Sequence, residues 1–425
     1  MATKRKYSID LSLLRTNRDF RNLWISGLIS YFGSMITYVA IPFQIKDLTH
    51  SYLAVGISGA VELMPLIIFG LYGGMLADSI DRKIMLWSTE AACLIFSAIL
   101  LVNSLQGKPS LLLIYIVIGL FATSDGLQRP SADAILPRIV SHQEIPSASA
   151  LMSLRWQFGM IVGPSIAGVI IATSSVSIGF ALDVVTFVFS LAFLARVRSI
   201  PPLIRGEKPS FVALGQGFKY AFSRQELIGT YVIDLAAMFF AMPMALYPFW
   251  ADKLNAPWSL GLFYAAGTVG SLVMTLTSGW ISNYRFHGRA IIWGAVGWGS
   301  AIAFAGLSNS LFWVLIFLTI AGGADMISGL FRGAIWNQTI PDHLRGRLAG
   351  IELLSFSVGP LSGQVRAATM ATATSLSFSV TSGGLMCVIA VFVMAAFLPK
   401  FRKYDVETNE HAVAERDIRK SREGD

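Results

Sequence analysis

Histidine and cysteine are almost missing from this chain, with five and two in 425 residues. Cys93 and Cys387 lie far apart, and no C-x-x-C or histidine cluster accompanies them. A Cys/His metal site and a disulfide framework are therefore not indicated, and both cysteines read as small core residues. Charge is scarce too: 14% of the residues are Asp, Glu, Lys or Arg, against about 25% in a typical soluble domain. No nucleophile constellation, phosphate-cradling glycine loop or metal-ligand spacing stands out. The expectation is a protein that is not an enzyme, with no metal and no cofactor. The first 21 residues are basic but have no apolar core, so they do not read as a cleaved signal peptide.

What the chain has in place of charge is apolar residues, at 54%. They fall in twelve runs, at 22–46, 53–77, 84–105, 110–135, 148–173, 177–197, 227–250, 258–282, 289–307, 310–336, 346–371 and 376–398. Runs of about 20 apolar residues cross a hydrocarbon core of ~30 Å. Backbone at that depth must satisfy its own hydrogen bonds, and the runs do not alternate as barrel strands do, so they are expected to be helices. Most of the 33 Lys and Arg residues fall between alternate runs and at the two ends, whereas Lys46, Lys108 and Lys253 fall in the opposite loops. The positive-inside bias then puts both termini in the cytoplasm. The net charge of +8 is read as attraction to anionic lipid rather than to nucleic acid.

The chain reads as written twice, with echoes roughly 200 residues apart. Gly74 to Asp78 returns as Gly279 to Asn283, Asp125 as Asp325, and Gly163-Pro164-x3-Gly168 as Gly359-Pro360-x2-Gly363. An even number of spans per repeat makes the halves parallel. The expected organisation is a cytoplasmic N-terminal segment (1–21), a six-helix half (22–197), a cytoplasmic linker with an amphipathic helix (198–226), a second six-helix half (227–398) and a charged, mobile cytoplasmic tail (399–425).

Between the second and third runs, Gly73-Gly74-Met75-Leu76-Ala77-Asp78 leads to Arg82-Lys83. Together with two six-span halves and a basic linker, this segment resembles the loop signature of the major facilitator superfamily, over nearly the whole chain. Ser79 stands where that signature usually has a basic residue, and Asp81 where it has glycine. The opening Leu11 to Arg21, the segment Val39-Ala-Ile-Pro42-Phe-Gln44-Ile, and Leu48-Thr-His50-Ser51 are similar to the enterobactin-exporter family. That branch also holds macrolide and multidrug efflux pumps. The resemblance implies an all-α membrane fold of twelve helices in two pseudo-symmetric halves, with spans 1, 4, 7 and 10 lining a central cavity. It also implies a gating role for Asp78, with Gly74 and Arg82 beside it. Gly159, Gly163, Pro164 and Gly168 resemble the antiporter signature of span 5, lacking its final tandem glycine.

Ionisable groups inside spans are costly and mark pathways or proton relays. Asp125 and Arg129 share a helical face with Asp133 at four-residue spacing; Asp133 is read as packing. Asp325 and Arg332 share a face seven residues apart. Glu62, Glu90, Asp183 and Asp234 are single acids, with Asp183 read as fixing helix packing. For proton coupling the order of expectation is Asp125, then Glu62 and Asp325. Arg155 and Glu352 stand at similar heights before their Gly-Pro pairs and are candidates for a gate. Trp24, Tyr31, Tyr38, Phe239, Phe240, Tyr247 and Trp336 would suit an amphipathic aromatic cargo.

The reading is a monomeric, proton-driven exporter of small siderophore- or drug-like molecules in a bacterial cytoplasmic membrane, working by alternating access. A macrolide or multidrug pump without a siderophore role and a non-transporting membrane sensor or interaction protein are the rival readings.

Overall fold

A computed structural model describes residues 11–77, 80–201 and 219–423. The expected amphipathic stretch of the linker, at 211–222, and Asp78 therefore lie wholly or largely outside the described residues. Twelve spans are found among the described residues, eleven of them unbroken helices and one interrupted. They are α1 (Arg18–Thr49), α2 (Tyr52–Ala77), α3 (Arg82–Ser104), α4 (Leu111–Ile139), α5 (Ile145–Thr173) and α6 (Val176–Ala195). The seventh span is divided into α7 (Gln225–Ala241) and α8 (Tyr247–Lys253). The last five spans are α9 (Leu260–Leu276), α10 (His287–Leu307), α11 (Leu311–Thr339), α12 (Asp342–Ala373) and α13 (Leu376–Phe397). Eleven of the twelve spans are apolar enough to cross a membrane by composition. The exception, α12, carries Arg345, Arg347, Glu352 and Arg366, but at 32 residues it is ~48 Å long and still has the reach.

The helix starts follow local chemistry. Ser110 and Ser375 accept from the backbone N–H three residues on, and Asp81 from that of Lys83, each satisfying a donor that a helix N-terminus leaves open. Prolines 42, 65, 130, 164 and 360 all sit inside continuous helices. Pro243 does not. The run expected to be continuous over 227–250 stops at Met242, whose backbone is extended (φ −102°, ψ 97°). A proline pushes the residue before it out of the helical region and offers no N–H of its own. The chain resumes through a short turn into α8.

The chain divides into two compact units. The first holds residues 1–48, 64–208 and 258–261, and the second residues 49–63, 209–257 and 262–425. Within the first, α3 packs against both α4 and α6; within the second, α10 packs against both α11 and α13. These are corresponding spans of the two repeats. Close approach at two glycines sets the α2–α4 crossing. A Cβ on Gly73 would lie 2.5 Å from the Gly126 carbonyl oxygen, and one on Gly126 2.7 Å from the Gly70 nitrogen.

Leu13, in a one-turn helix Ser12–Thr16, is buried with Phe20, Leu86, Ile139, Leu151 and Leu194, so this turn packs onto the first unit. The tail expected to be mobile is folded. Phe401, Tyr404 and Ala412 are buried, and a last helix, α14, runs from Glu410 to Glu423. Its apolar positions alternate with charge at helical spacing, and it packs on α11.

Candidate functional site: charges inside the spans

In the second unit the decisive residue is Arg332 on α11. Its side chain is only 6% exposed, and a buried guanidinium needs counter-charge. Asp234 on α7 supplies it through a close ion pair, and Asp325, seven residues or about two turns earlier on α11, lies 3.7 Å from Nη2. The Ser355 hydroxyl donates to the other Asp234 oxygen at 3.2 Å. The Phe356 ring faces the guanidinium carbon at 5.7 Å. Trp336, one turn along α11, donates its indole N–H to the Thr230 hydroxyl (2.9 Å) and lies beside Tyr231. The expected Asp325–Arg332 face is thus real, but its main partner is Asp234, read from sequence as a single acid. Two carboxylates about one cation leave a negative charge that a proton can neutralise. Asp325, with 37% of its side chain exposed, is the accessible member.

In the first unit Asp125 and Arg129 pair with each other along α4 at 3.0 Å, both side chains about half exposed. Asp133 also lies on α4, but its surroundings are outside the described residues. Glu62, on the part of α2 that belongs to the second unit, is half-buried. Arg155 on α5 lies against Gly27 of α1, filling the space a Cβ there would take. Its proposed gate partner Glu352 has a side chain outside the described residues. The glycines of α5 are places of close helix approach. A Cβ on Gly159 would strike the Tyr31 ring, and one on Gly163 would lie 2.6 Å from Met35 Cβ, so α5 rides directly on α1. Pro164 is buried, and Gly168 meets the Gly261 backbone. Small residues permit such contact in lipid.

At the loop signature, Gly74 lies in α2 and Arg82 opens α3, its backbone N–H donating to the Ile200 carbonyl at 3.2 Å. Asp81 does more than cap. Burial raises the cost of its charge, yet donation from the Ser199 hydroxyl and from the Ile200 and Lys83 N–H groups outweighs this and holds the carboxyl below its ordinary range. The residue that departs from the family signature thus ties the α2–α3 loop to the chain leaving α6.

Two further carboxyls were underweighted in the sequence. Glu90 on α3 accepts from Ser30 (3.1 Å), Gln128 (3.2 Å) and Ser190 (2.9 Å). Asp183 on α6 accepts from Thr37 (2.6 Å) and Ser97 (2.7 Å). The pattern is reciprocal: α6 sends Ser190 to the acid of α3, and α3 sends Ser97 to the acid of α6. Seven-residue spacing of 90 to 97 and of 183 to 190 keeps each pair on one face. Serines at 26 and 30 were the signal available in α1. Arg366 on α12 was also missed; it donates to the Ser379 carbonyl at 3.3 Å. Among the described residues, no group of His, Cys, Asp and Glu could hold a metal ion.

Compared with known proteins, residues 11–422 match the family described as transmembrane secretion effector. The chain belongs to that family, within the major facilitator superfamily. It is therefore a multi-pass membrane transporter and not an enzyme. The enterobactin exporter EntS of Shigella boydii serotype 18 is 27% identical over 353 residues, covering 82% of this chain and 84% of that protein. The EntS protein of Citrobacter koseri is 26% identical over 405 residues, covering 94% and 97%. Among solved structures, a POT family transporter bound to 5-aminolevulinic acid has a TM-score of 0.72 at 13% identity, covering 91% of this chain and 97% of that one. Another, bound to a thioalcohol-conjugated peptide, has a TM-score of 0.73 at 12% identity, covering 90% and 96%. Likeness at that identity concerns the fold alone; the family match supports the all-helical major facilitator fold that the resemblance implied.

Proposed function

We propose that the chain exports small amphipathic organic molecules, of siderophore or drug type, across the cytoplasmic membrane of a bacterium in exchange for protons. The observation that carries the coupling is Arg332 held between Asp234 and Asp325 inside the spans. The similarity to the enterobactin exporter supports a siderophore such as enterobactin as cargo. Alternating access of the two repeats, with both termini cytoplasmic and the chain working as a monomer, completes the reading. Asp78 with Gly74 and Arg82, and Arg155 with Glu352, are the proposed gates; Asp125, Arg129 and Glu62 join Asp325 and Arg332 in the cargo and proton path.

Full-length protein in proteoliposomes, offered enterobactin under an imposed pH gradient, tests this. Transport should follow the gradient and fall in Asp325→Asn and in Asp125→Asn. Transport indifferent to the gradient would remove proton coupling. A second cargo reading, a macrolide or multidrug pump, is favoured by the aromatic wall of Trp336, Tyr231 and Phe356 about Arg332. Siderophore secretion and drug susceptibility measured on one deletion strain separate the two.

A further inference from the structure

Glu90 differs from Asp125 and Asp183, two other described carboxyls within the spans of the first unit, in how its two oxygens are held. Asp125 has Arg129 against it, and Asp183 is sealed, with no exposure at all. Glu90 is 8% exposed and, among the described residues, no cation lies within ion-pair distance of it. Oε1 receives Gln128 Nε2 and the Ser30 hydroxyl. An amide nitrogen only donates, so Oε1 is fixed as an acceptor. Oε2 meets the Ser190 hydroxyl alone, and a hydroxyl both donates and accepts. Ser190 in turn touches the Ser26 hydroxyl at 2.8 Å, where either is able to be the donor.

This arrangement accommodates the carboxylate and the acid without moving a heavy atom. With Glu90 ionised, Ser26 donates to Ser190 and Ser190 donates to Oε2. With a proton bound, Oε2–H donates to Ser190, whose own hydrogen turns to Ser26. One proton enters, one O–H bond forms on Oε2, and two hydroxyls rotate.

A counter-charge stands close by. Arg155, half-buried on α5, makes no hydrogen bond or ion pair among the described residues, and its positive charge reaches Glu90. The other ionisable groups facing this region are Tyr31 on α1, Cys93 on α3, Asp125 and Arg129 on α4, and Asp183 on α6. Among the described residues of this cluster, Arg129 has Asp125 as its ion-pair partner, whereas no carboxylate stands within ion-pair distance of Arg155.

We propose that Glu90 is a reversible proton-binding site of the first unit, with Ser190 and Ser26 as its switching hydroxyls and Arg155 as the charge that compensates the ionised form. The proposal deepens the proton-antiport reading but is tested on proton binding itself. Purified full-length protein is titrated while the infrared carbonyl band of protonated carboxyls is followed. A reversible band should bleach as pH rises, vanish in Glu90→Gln, and persist in Asp183→Asn and Asp125→Asn. Unchanged amplitude in Glu90→Gln overturns the assignment. Should that variant fail to fold, Arg155→Gln decides: losing the compensating charge must raise the midpoint by about one pH unit or more, and an unmoved midpoint overturns it. Gradient-indifferent transport with an intact Glu90 band would sink the antiport reading alone; coupled transport without the band would sink this site alone.

Discussion

Arg285 grips Asp405 across 120 residues of chain, with Nε donating to the carboxylate at 3.0 Å and the guanidinium also reaching Glu407 at 3.1 Å. The pair fastens the segment before α14 to the start of α10. The hydrogen bond from Arg285 holds the Asp405 carboxyl below its ordinary range. A depressed carboxyl contributes stability that is present above the unfolded value of ~3.9 and is lost as pH falls through the lower folded value. Asp405→Asn should therefore raise amide exchange through residues 404–423 at neutral pH, and wild type should come to match it only in acid. Equal exchange in both proteins at neutral pH would show that the pair does not fasten the tail.

Removing Arg332 leaves Asp234 buried without its cation. Breaking a buried pair from one side costs about 3–5 kcal/mol, whereas removing both charges costs far less. Arg332→Gln should lower the thermal unfolding midpoint sharply, and Arg332→Gln with Asp234→Asn should recover most of the loss. A double variant no more stable than the single one would mean that the ion pair is not what the guanidinium contributes.

The contact of α5 on α1 leaves no room at Gly163. Alanine there places a Cβ 2.6 Å from Met35 Cβ, and overpacking of this kind costs about 1–3 kcal/mol. Gly163→Ala should unfold earlier on heating in detergent, while Gly107→Ala, with nothing near its Cβ position, serves as the control.

Asp81 caps α3 and receives Ser199 and Ile200. Loss of a capping carboxylate costs ~0.5–2 kcal/mol. Asp81→Ala should lower stability by at least that much, with proteolytic cleavage near residues 196–201 appearing sooner. Glycine at this position, the residue of the superfamily signature, should be equally exposed to cleavage because it restores no acceptor.

The spans were legible because apolar length is written locally, and Asp325 with Arg332 was legible because seven residues of one helix share a face. Asp234 was not, since its pairing with Arg332 is made between helices about 100 residues apart and no periodicity records that. Nor could the break at Pro243 be told from prolines such as Pro42, Pro130 and Pro137 that leave their helices intact. The folded tail was misjudged from its charge. Its anchors are Phe401 and Tyr404, packed against Gly229, Gly288 and His287, and two aromatics among many charges give little warning in sequence. Glu90 looked solitary because its partners, Ser30, Gln128 and Ser190, come from three other helices.

The interruption at Met242 makes the seventh span two short levers instead of one beam. The outer lever is moored by its own rings, with Tyr247 and Trp250 against Phe263 and Tyr247 edge-on to Tyr264. The inner lever carries Asp234 and is tethered to Arg332. A tilt of α8 need not drag the ion pair on α7 with it, so the two ends of this span are able to shift separately.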